Sequence, residues 1–199
     1  MTLLGGAMIV VMAAALAGGW LLWRRPLAVL AWGGRQALKR CGLRRTSVPS
    51  PAGPQNVFVG GSGPVLVLLH GAGDQAATWA RVAPALVSRY TLVIPDLAGH
   101  GASAPAEGPI EMSAICCGLE AVLAGLAPGG PVTLVGNSLG AWAAMIMAQR
   151  HPSQVARVVA VNGGPLRGAG TVNLLPRNRQ EARDTLARTR APESRELPA

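Results

Sequence analysis

Short runs of apolar residues alternate along the middle of the chain with stretches in which apolar residues recur at helical spacing. Runs this short and this continuous are typical of strands that are buried on both faces of a parallel sheet. The runs lie at 64–69, 90–94, 132–135 and 155–161, after a shorter predicted strand at 56–60. The predicted helices lie at 77–88, 111–126 and 139–150. Strands that alternate with helices predict an α/β fold with a mostly parallel sheet.

The first 23 residues form the longest apolar stretch and carry no charged side chain. About 20 apolar residues are enough for a helix to cross a bilayer. Arg24 and Arg25 follow this stretch, whereas a signal peptide would carry basic residues before it. Because basic residues favour the cytoplasmic side, we expect a single-pass N-terminal membrane anchor at 1–23 with the soluble part of the protein in the cytoplasm.

Residues 24–54 are basic and end in a segment rich in proline. Apolar residues between 26 and 45 recur near helical spacing, which fits either a helix on an anionic membrane surface or a plain linker helix. Three closely spaced prolines, Pro49, Pro51 and Pro54, are typical of a linker. We therefore expect a juxtamembrane segment and linker at 24–54 and the soluble core at 55–165.

The formal net charge is +9, which raises the question of a nucleic-acid partner. The arginines cluster near the two ends, and the chain has only one tyrosine and one phenylalanine for base stacking. We therefore expect no nucleic-acid partner. Three cysteines, Cys41, Cys116 and Cys117, show neither a disulfide pattern nor zinc-ligand spacing, so we expect reduced thiols and no metal.

A serine stands between two glycines where the predicted strand at 132–135 gives way to a helix, in the motif Gly136-Asn137-Ser138-Leu139-Gly140. A serine hydroxyl becomes a useful nucleophile when a base can reach it from one side and a bound carbonyl from the other. A sharp strand-to-helix turn presents it in this way, but it crowds the residues two before and two after. Because both of these are glycines, the motif predicts that Ser138 is a catalytic nucleophile.

Two further motifs end the strands that precede this serine: His70-Gly71-Ala72-Gly73 and the loop Asp96–Gly101. The three motifs in this order resemble the α/β-hydrolase superfamily, in its branch of serine esterases, lipases and carbon–carbon bond hydrolases, across about residues 57–165. The resemblance implies an oxyanion hole formed by the backbone amides of Leu139 and Ala72. It also implies a small-molecule acyl or ester substrate and no cofactor. His70 would brace the oxyanion loop, and Asp96–Gly101 would be a structural loop.

The resemblance also implies a catalytic acid and then a histidine after the serine. His70 and His100 precede Ser138, and His151 ends the helix that Ser138 begins, about 18 Å away at 1.5 Å per residue. Residues 166–199 would be the start of a helical cap, and further strands would follow the strand at 155–161. We therefore expect a C-terminally truncated hydrolase with an incomplete triad, in which that strand becomes an exposed apolar edge.

Two alternatives remain open from the sequence. The pattern Gly71-x-Gly73-x-x-Ala76, with Asp96 at the end of the next strand, also fits a dinucleotide site. A catalytically inactive, membrane-tethered binding or scaffold protein with the hydrolase fold is the second alternative.

Serine at the turn argues against dehalogenase or epoxide-hydrolase chemistry, which needs a carboxylate nucleophile. The predicted membrane anchor favours a lipophilic ester as substrate.

Overall fold

The computed structural model describes residues 11–13, 16, 18–20, 23, 24, 26–127, 129–163 and 180. The chain divides into two compact units, Met1–Gly164 and Pro165–Ala199, and every described residue except Gln180 belongs to the first unit. Its helices are α1 (Pro26–Arg40), α2 (Ala83–Leu86), α3 (Met112–Leu126) and α4 (Leu139–Arg150), with a 3-10 helix at Ala76–Arg81. Its strands are β1 (Arg44–Val48), β2 (Gln55–Gly61), β3 (Val65–Leu69), β4 (Thr91–Pro95), β5 (Val132–Asn137) and β6 (Val155–Val161).

The six strands form one sheet in the order β1-β2-β4-β3-β5-β6. The last four strands in this order are parallel, whereas β1 and β2 pair antiparallel to their neighbours. This arrangement confirms the predicted α/β fold with a mostly parallel sheet. The predicted helix at 77–88 is instead a 3-10 helix followed by α2, because Pro84 lies in the first turn of α2 and lacks the amide that would continue a helix.

Helices cover both faces of the sheet, and alternate residues of its central strands pack against one helical layer or the other. Along β3, Leu66 and Leu68 pack on the side of α1 and the 3-10 helix. Val67 and Leu69 pack on the side of α3 and α4. Because successive side chains of a strand point to opposite faces, a continuous apolar run is what a strand between two helical layers requires.

The structured core begins earlier in the chain than the sequence suggests. Residues 26–48 fall in the predicted juxtamembrane segment and linker, yet α1 buries Leu38 against the sheet, and β1 pairs with β2. Strand β1 escapes detection because four of its five residues are polar and only Val48 is buried. Polar and charged residues are common on edge strands, where one side faces solvent.

The predicted membrane anchor lies partly outside the described residues, which omit 1–10 and several positions up to 25. The described positions between 11 and 24 have helical backbone, and the side chains of Trp20 and Trp23 are exposed. Across the described part of the chain, the structure contains no helix with the length and apolar character that a membrane crossing requires. The anchor at 1–23 stays a prediction.

Strand β6 lies at one edge of the described sheet, next to β5. Val159 and Val161 on this strand are 48% and 38% exposed, as expected for an apolar strand at an edge. The predicted start of a cap at 166–199 lies outside the described residues, apart from Gln180.

Candidate active site

Ser138 occupies the turn between β5 and α4 and has an unusual backbone conformation. Its φ is 50° and its ψ is −109°, and it shares a positive φ with only one other described non-glycine residue, Asn162. Such a conformation costs of order 1–3 kcal/mol and persists where the surroundings enforce it. The Ser138 amide donates to Val161 O at 3.0 Å, and its carbonyl accepts from the Trp142 amide at 3.1 Å. The turn therefore holds an exposed serine in a fixed position.

The two glycines around Ser138 leave no room for side chains. A Cβ on Gly136 would lie 2.3 Å from the carbonyl carbon and oxygen of Gly140. A Cβ on Gly140 would lie 2.4 Å from Leu69 O and 2.7 Å from His70 O. The residues two before and two after the serine must therefore be glycine, as the motif predicts. The second contact also brings the start of α4 against the end of β3.

The loop that follows β3 lies against this turn. A Cβ on Gly71 would lie 3.6 Å from the Cβ of Ser138 and 3.1 Å from Nδ2 of Asn137. The next residue, Ala72, is exposed, and its amide makes no hydrogen bond within the described part of the chain. Leu139 is the first residue of α4, where a helix leaves the amide without an intrahelical acceptor. Both predicted oxyanion donors therefore lie on segments that adjoin Ser138.

His70 ties this loop to the one that follows β4. Its Nε2 accepts from the Leu97 amide at 2.9 Å, so Nδ1 carries the proton and donates to Gly71 O at 2.7 Å. Burial lowers the pKa of His70, which favours this neutral form. With both ring nitrogens engaged, His70 occupies the bracing position that the resemblance implies.

Asp96 is 2% exposed and directs its carboxylate into the protein. Oδ1 accepts from the Ala76 amide at 2.7 Å, and Oδ2 accepts from the Ala102 amide at 2.8 Å and from Asn56 Nδ2 at 2.9 Å. The loop 96–101 is therefore structural. The dinucleotide alternative does not fit this site, because its acidic residue would have to reach a ribose and this carboxylate is buried and already accepts three hydrogen bonds.

No described histidine makes a side-chain hydrogen bond to Ser138. His100 Nδ1 forms a hydrogen bond with Ala98 O at 3.0 Å. His151, at the far end of α4, forms a hydrogen bond through Nε2 with Glu120 of α3. Cys41, Cys116 and Cys117 carry free thiols, and burial raises the pKa of the Cys41 and Cys116 thiols, so both are weak nucleophiles. Among the described residues, no three metal-binding side chains come together.

Sequence reasoning missed two contacts that support the loops around Ser138. Arg45 Nε donates to Asn56 Oδ1, and the same amide group donates to Asp96, so a guanidinium is linked to the buried carboxylate. Arg35 Nη1 donates to Gln75 Oε1 at the end of the loop that contains Ala72. Asn56, a polar residue at the start of the short predicted strand 56–60, was the one signal for the first contact. The Arg35 contact left no signal, because it joins segments that are remote in sequence.

A family model described as the alpha/beta hydrolase fold matches residues 64–193. The pimeloyl-[acyl-carrier protein] methyl ester esterase of Aeromonas hydrophila is 39% identical over 105 residues, which are 53% of this chain and 40% of that protein. A fluoroacetate dehalogenase from a Burkholderia species is 53% identical over 53 residues, which are 27% of this chain and 17% of that protein.

Solved structures give the same picture. A bacterial membrane phospholipase A matches with a TM-score of 0.63 and 29% identity over 83% of this chain and 54% of its own. An epoxide hydrolase from an endophytic Streptomyces matches with a TM-score of 0.54 and 27% identity over 60% of this chain and 37% of its own. The chain thus spans about half or less of the proteins named here.

Proposed function

Because this chain belongs to the alpha/beta hydrolase fold family, we propose that it is a serine hydrolase that acts on esters or related acyl substrates through Ser138. The geometry of the turn carries the proposal. An exposed serine with a positive φ, between two glycines that admit no side chain, is the arrangement expected of a nucleophile that must meet a carbonyl group.

In the proposed reaction, Ser138 Oγ attacks the carbonyl carbon of the ester and loses its proton to a general base. The carbonyl oxygen becomes an oxyanion, which accepts hydrogen bonds from the amides of Leu139 and Ala72. The carbon–oxygen bond to the alcohol then breaks, and the base returns the proton to the leaving oxygen. Water hydrolyses the resulting acyl-enzyme by the same steps and regenerates Ser138.

The general base is the component that the described residues do not supply, since none of their histidines hydrogen-bonds to Ser138. We propose that a longer form of this protein carries the histidine and its acid partner. The share of the relatives that the chain spans, 40% for the esterase and 54% for the phospholipase, supports this proposal.

The similar proteins differ in the chemistry that their names state, and include an esterase, a dehalogenase and an epoxide hydrolase. The residue at the turn favours the first class. Attack by a serine on an acyl carbon gives an ester intermediate that water cleaves readily, whereas opening a carbon–halogen bond or an epoxide calls for a carboxylate nucleophile.

We further propose that residues 1–23 anchor the protein in a membrane, with the core in the cytoplasm, a cap beginning at 166–199 and a lipophilic ester as substrate. Exposed Trp20, Trp23, Leu27 and Leu30, with Arg24 5.5 Å from the centre of the Trp20 ring, support contact with a bilayer. We expect the expressed chain to stay in the membrane fraction after carbonate extraction and a chain that starts at residue 24 to leave it. Equal release of both would contradict the anchor.

A fluorophosphonate probe tests the proposed nucleophile, because a serine presented as a nucleophile attacks its phosphorus as it would attack an acyl carbon. We expect the wild-type chain and Ser88→Ala, which removes another exposed serine, to form one adduct, and Ser138→Ala to form none. Added imidazole should accelerate the reaction by serving as an external base. Absence of an adduct even with imidazole would contradict the proposed function and favour the inactive binding protein.

A further inference from the structure

Helix α1 has no part in the proposed chemistry, yet it contacts the loop that carries one proposed oxyanion donor. We propose that Arg35 is a positioning residue, through which α1 holds the oxyanion loop, defined as residues 71–75. The inference rests on the proposed function and concerns the placement of the Ala72 amide.

A continuous series of hydrogen bonds leads from α1 into the oxyanion loop. Arg35 Nη1 donates to Gln75 Oε1, and the Gln75 amide donates to Asp74 Oδ1 at 2.9 Å. The other carboxylate oxygen of Asp74 accepts from Thr78 Oγ1, and the Asp74 amide donates to Gly71 O at 3.3 Å. The side chain of Arg35 therefore acts on the end of the loop that is remote from Ser138.

Helix α1 packs closely against the 3-10 helix at Gly34, the residue next to Arg35. A Cβ on Gly34 would lie 2.9 Å from both the Cβ and the carbonyl oxygen of Ala77, so the helix backbone contacts the 3-10 helix directly. One turn further along, Leu38 is fully buried in the core. Packing this close allows little sliding, and Arg35 therefore extends from a fixed support.

The middle of the oxyanion loop lacks packing on the side of α1. A cavity of about 280 Å³ separates the two there, lined on the helix by Leu27, Leu30 and Ala31 and on the loop by Gly73, Asp74 and Gln75. Gly73 has a φ of 72°, which glycine adopts without strain, and no atom lies within 4 Å of the place where its Cβ would be. The position of Ala72 thus depends on the two ends of the loop: His70 and Gly71 at one, Gln75 at the other.

Loss of the Arg35 contact should therefore affect the transition state more than substrate binding. In the proposed reaction the Ala72 amide donates a hydrogen bond to an oxyanion that forms only when Ser138 attacks the carbonyl carbon. Removing an oxyanion donor lowers kcat about 100-fold to 1000-fold, so loosening one should slow the chemical step about 10-fold. The probe concentration that gives half-maximal rate should stay nearly constant.

The test compares Arg35→Ala, Gln75→Ala and Arg35→Lys in the full chain, with Arg40→Ala as the matched control. Arg40 lies at the exposed end of the same helix. Hydrogen–deuterium exchange is read at the Asp74 and Gln75 amides, whose hydrogen bonds report the order of the loop. Fluorophosphonate labelling is measured in parallel over a range of probe concentrations.

We expect exchange at these two amides to rise about 10-fold in Arg35→Ala and Gln75→Ala, to recover partly in Arg35→Lys, and to be unchanged in Arg40→Ala. The maximal labelling rate should follow the same order. Unchanged exchange in Arg35→Ala would overturn the proposal whatever the labelling shows. Raised exchange with an unchanged labelling rate would overturn it as well. A wild-type chain that takes no label would contradict the proposed function, while exchange would still decide whether Arg35 holds the loop.

Discussion

Gly140 offers a sharp test of the packing around the proposed nucleophile. It is the second residue of α4, and an alanine there would place a Cβ 2.4 Å from Leu69 O and 2.7 Å from both Leu69 C and His70 O. All three atoms belong to the backbone of β3 and its extension, so no side chain can rotate away. The substitution must push α4 and β3 apart.

Two opposing effects set the size of the change in the free energy of unfolding. Alanine favours a helix over glycine by about 1 kcal/mol, which would stabilise Gly140→Ala if the site were open. Overpacking typically costs about 1–3 kcal/mol, and overlap with backbone on this scale belongs at or above the upper end. We therefore expect Gly140→Ala to lower the free energy of unfolding by about 2 kcal/mol and to slow labelling of Ser138.

Urea denaturation followed by circular dichroism measures this change, with Gly125→Ala as the control. Gly125 lies in α3, where an added Cβ would meet only the Val48 side chain at an ordinary 3.6 Å. That variant should be about 0.5–1 kcal/mol more stable than wild type. If Gly140→Ala were as stable as Gly125→Ala, the close approach of α4 to β3 would be refuted.

Three further predictions concern the residues around the turn. The pKa of His70 in the folded state lies below its ordinary 6.5, so between the folded-state pKa and 6.5 the unfolded chain binds more protons than the folded chain. The free energy of unfolding should therefore be full above about pH 6.5 and should fall as the pH drops from 6.5 toward the folded-state pKa. Urea denaturation should find this pH dependence reduced in His70→Gln. Asp96→Asn directs an amide donor at buried backbone amides and should lower the free energy of unfolding by about 3 kcal/mol in the same assay. The control Glu107→Gln, at an exposed position, should leave it unchanged, and equal stability of the two variants would refute the Asp96 network. Ser138→Gly should be about 1 kcal/mol more stable than Ser138→Ala in thermal denaturation, because glycine adopts a φ of 50° without strain, and a reversed order would argue against strain at the turn.

The parts of the fold that the sequence predicted are those that depend on local pattern. The apolar runs of β3, β4 and β5 reveal buried parallel strands because a strand covered on both faces can hold few polar residues. The serine turn is recognisable because its steric demand falls on Gly136 and Gly140, two residues on either side.

The parts that the sequence missed depend on contacts between remote segments. Strand β1 is polar because it lies at an edge, so its pairing with β2 leaves no apolar run. The seating of α1 depends on Gly34 meeting Ala77, and the link from α1 to the oxyanion loop depends on Arg35 meeting Gln75. A single glycine or arginine in a basic segment gives no indication of its partner. Local patterns in the sequence therefore indicated the serine turn but not the contacts that support it.

A crystal structure of the chain with a phosphonate covalently bound to Ser138 would test the proposed site most directly. If Ala72 and Leu139 form the oxyanion hole, their amide nitrogens should lie about 2.7–3.1 Å from the phosphonyl oxygen. A phosphonyl oxygen directed to solvent, or an adduct on a serine other than Ser138, would contradict the proposal that this turn and the loop after β3 form the catalytic site of a serine hydrolase.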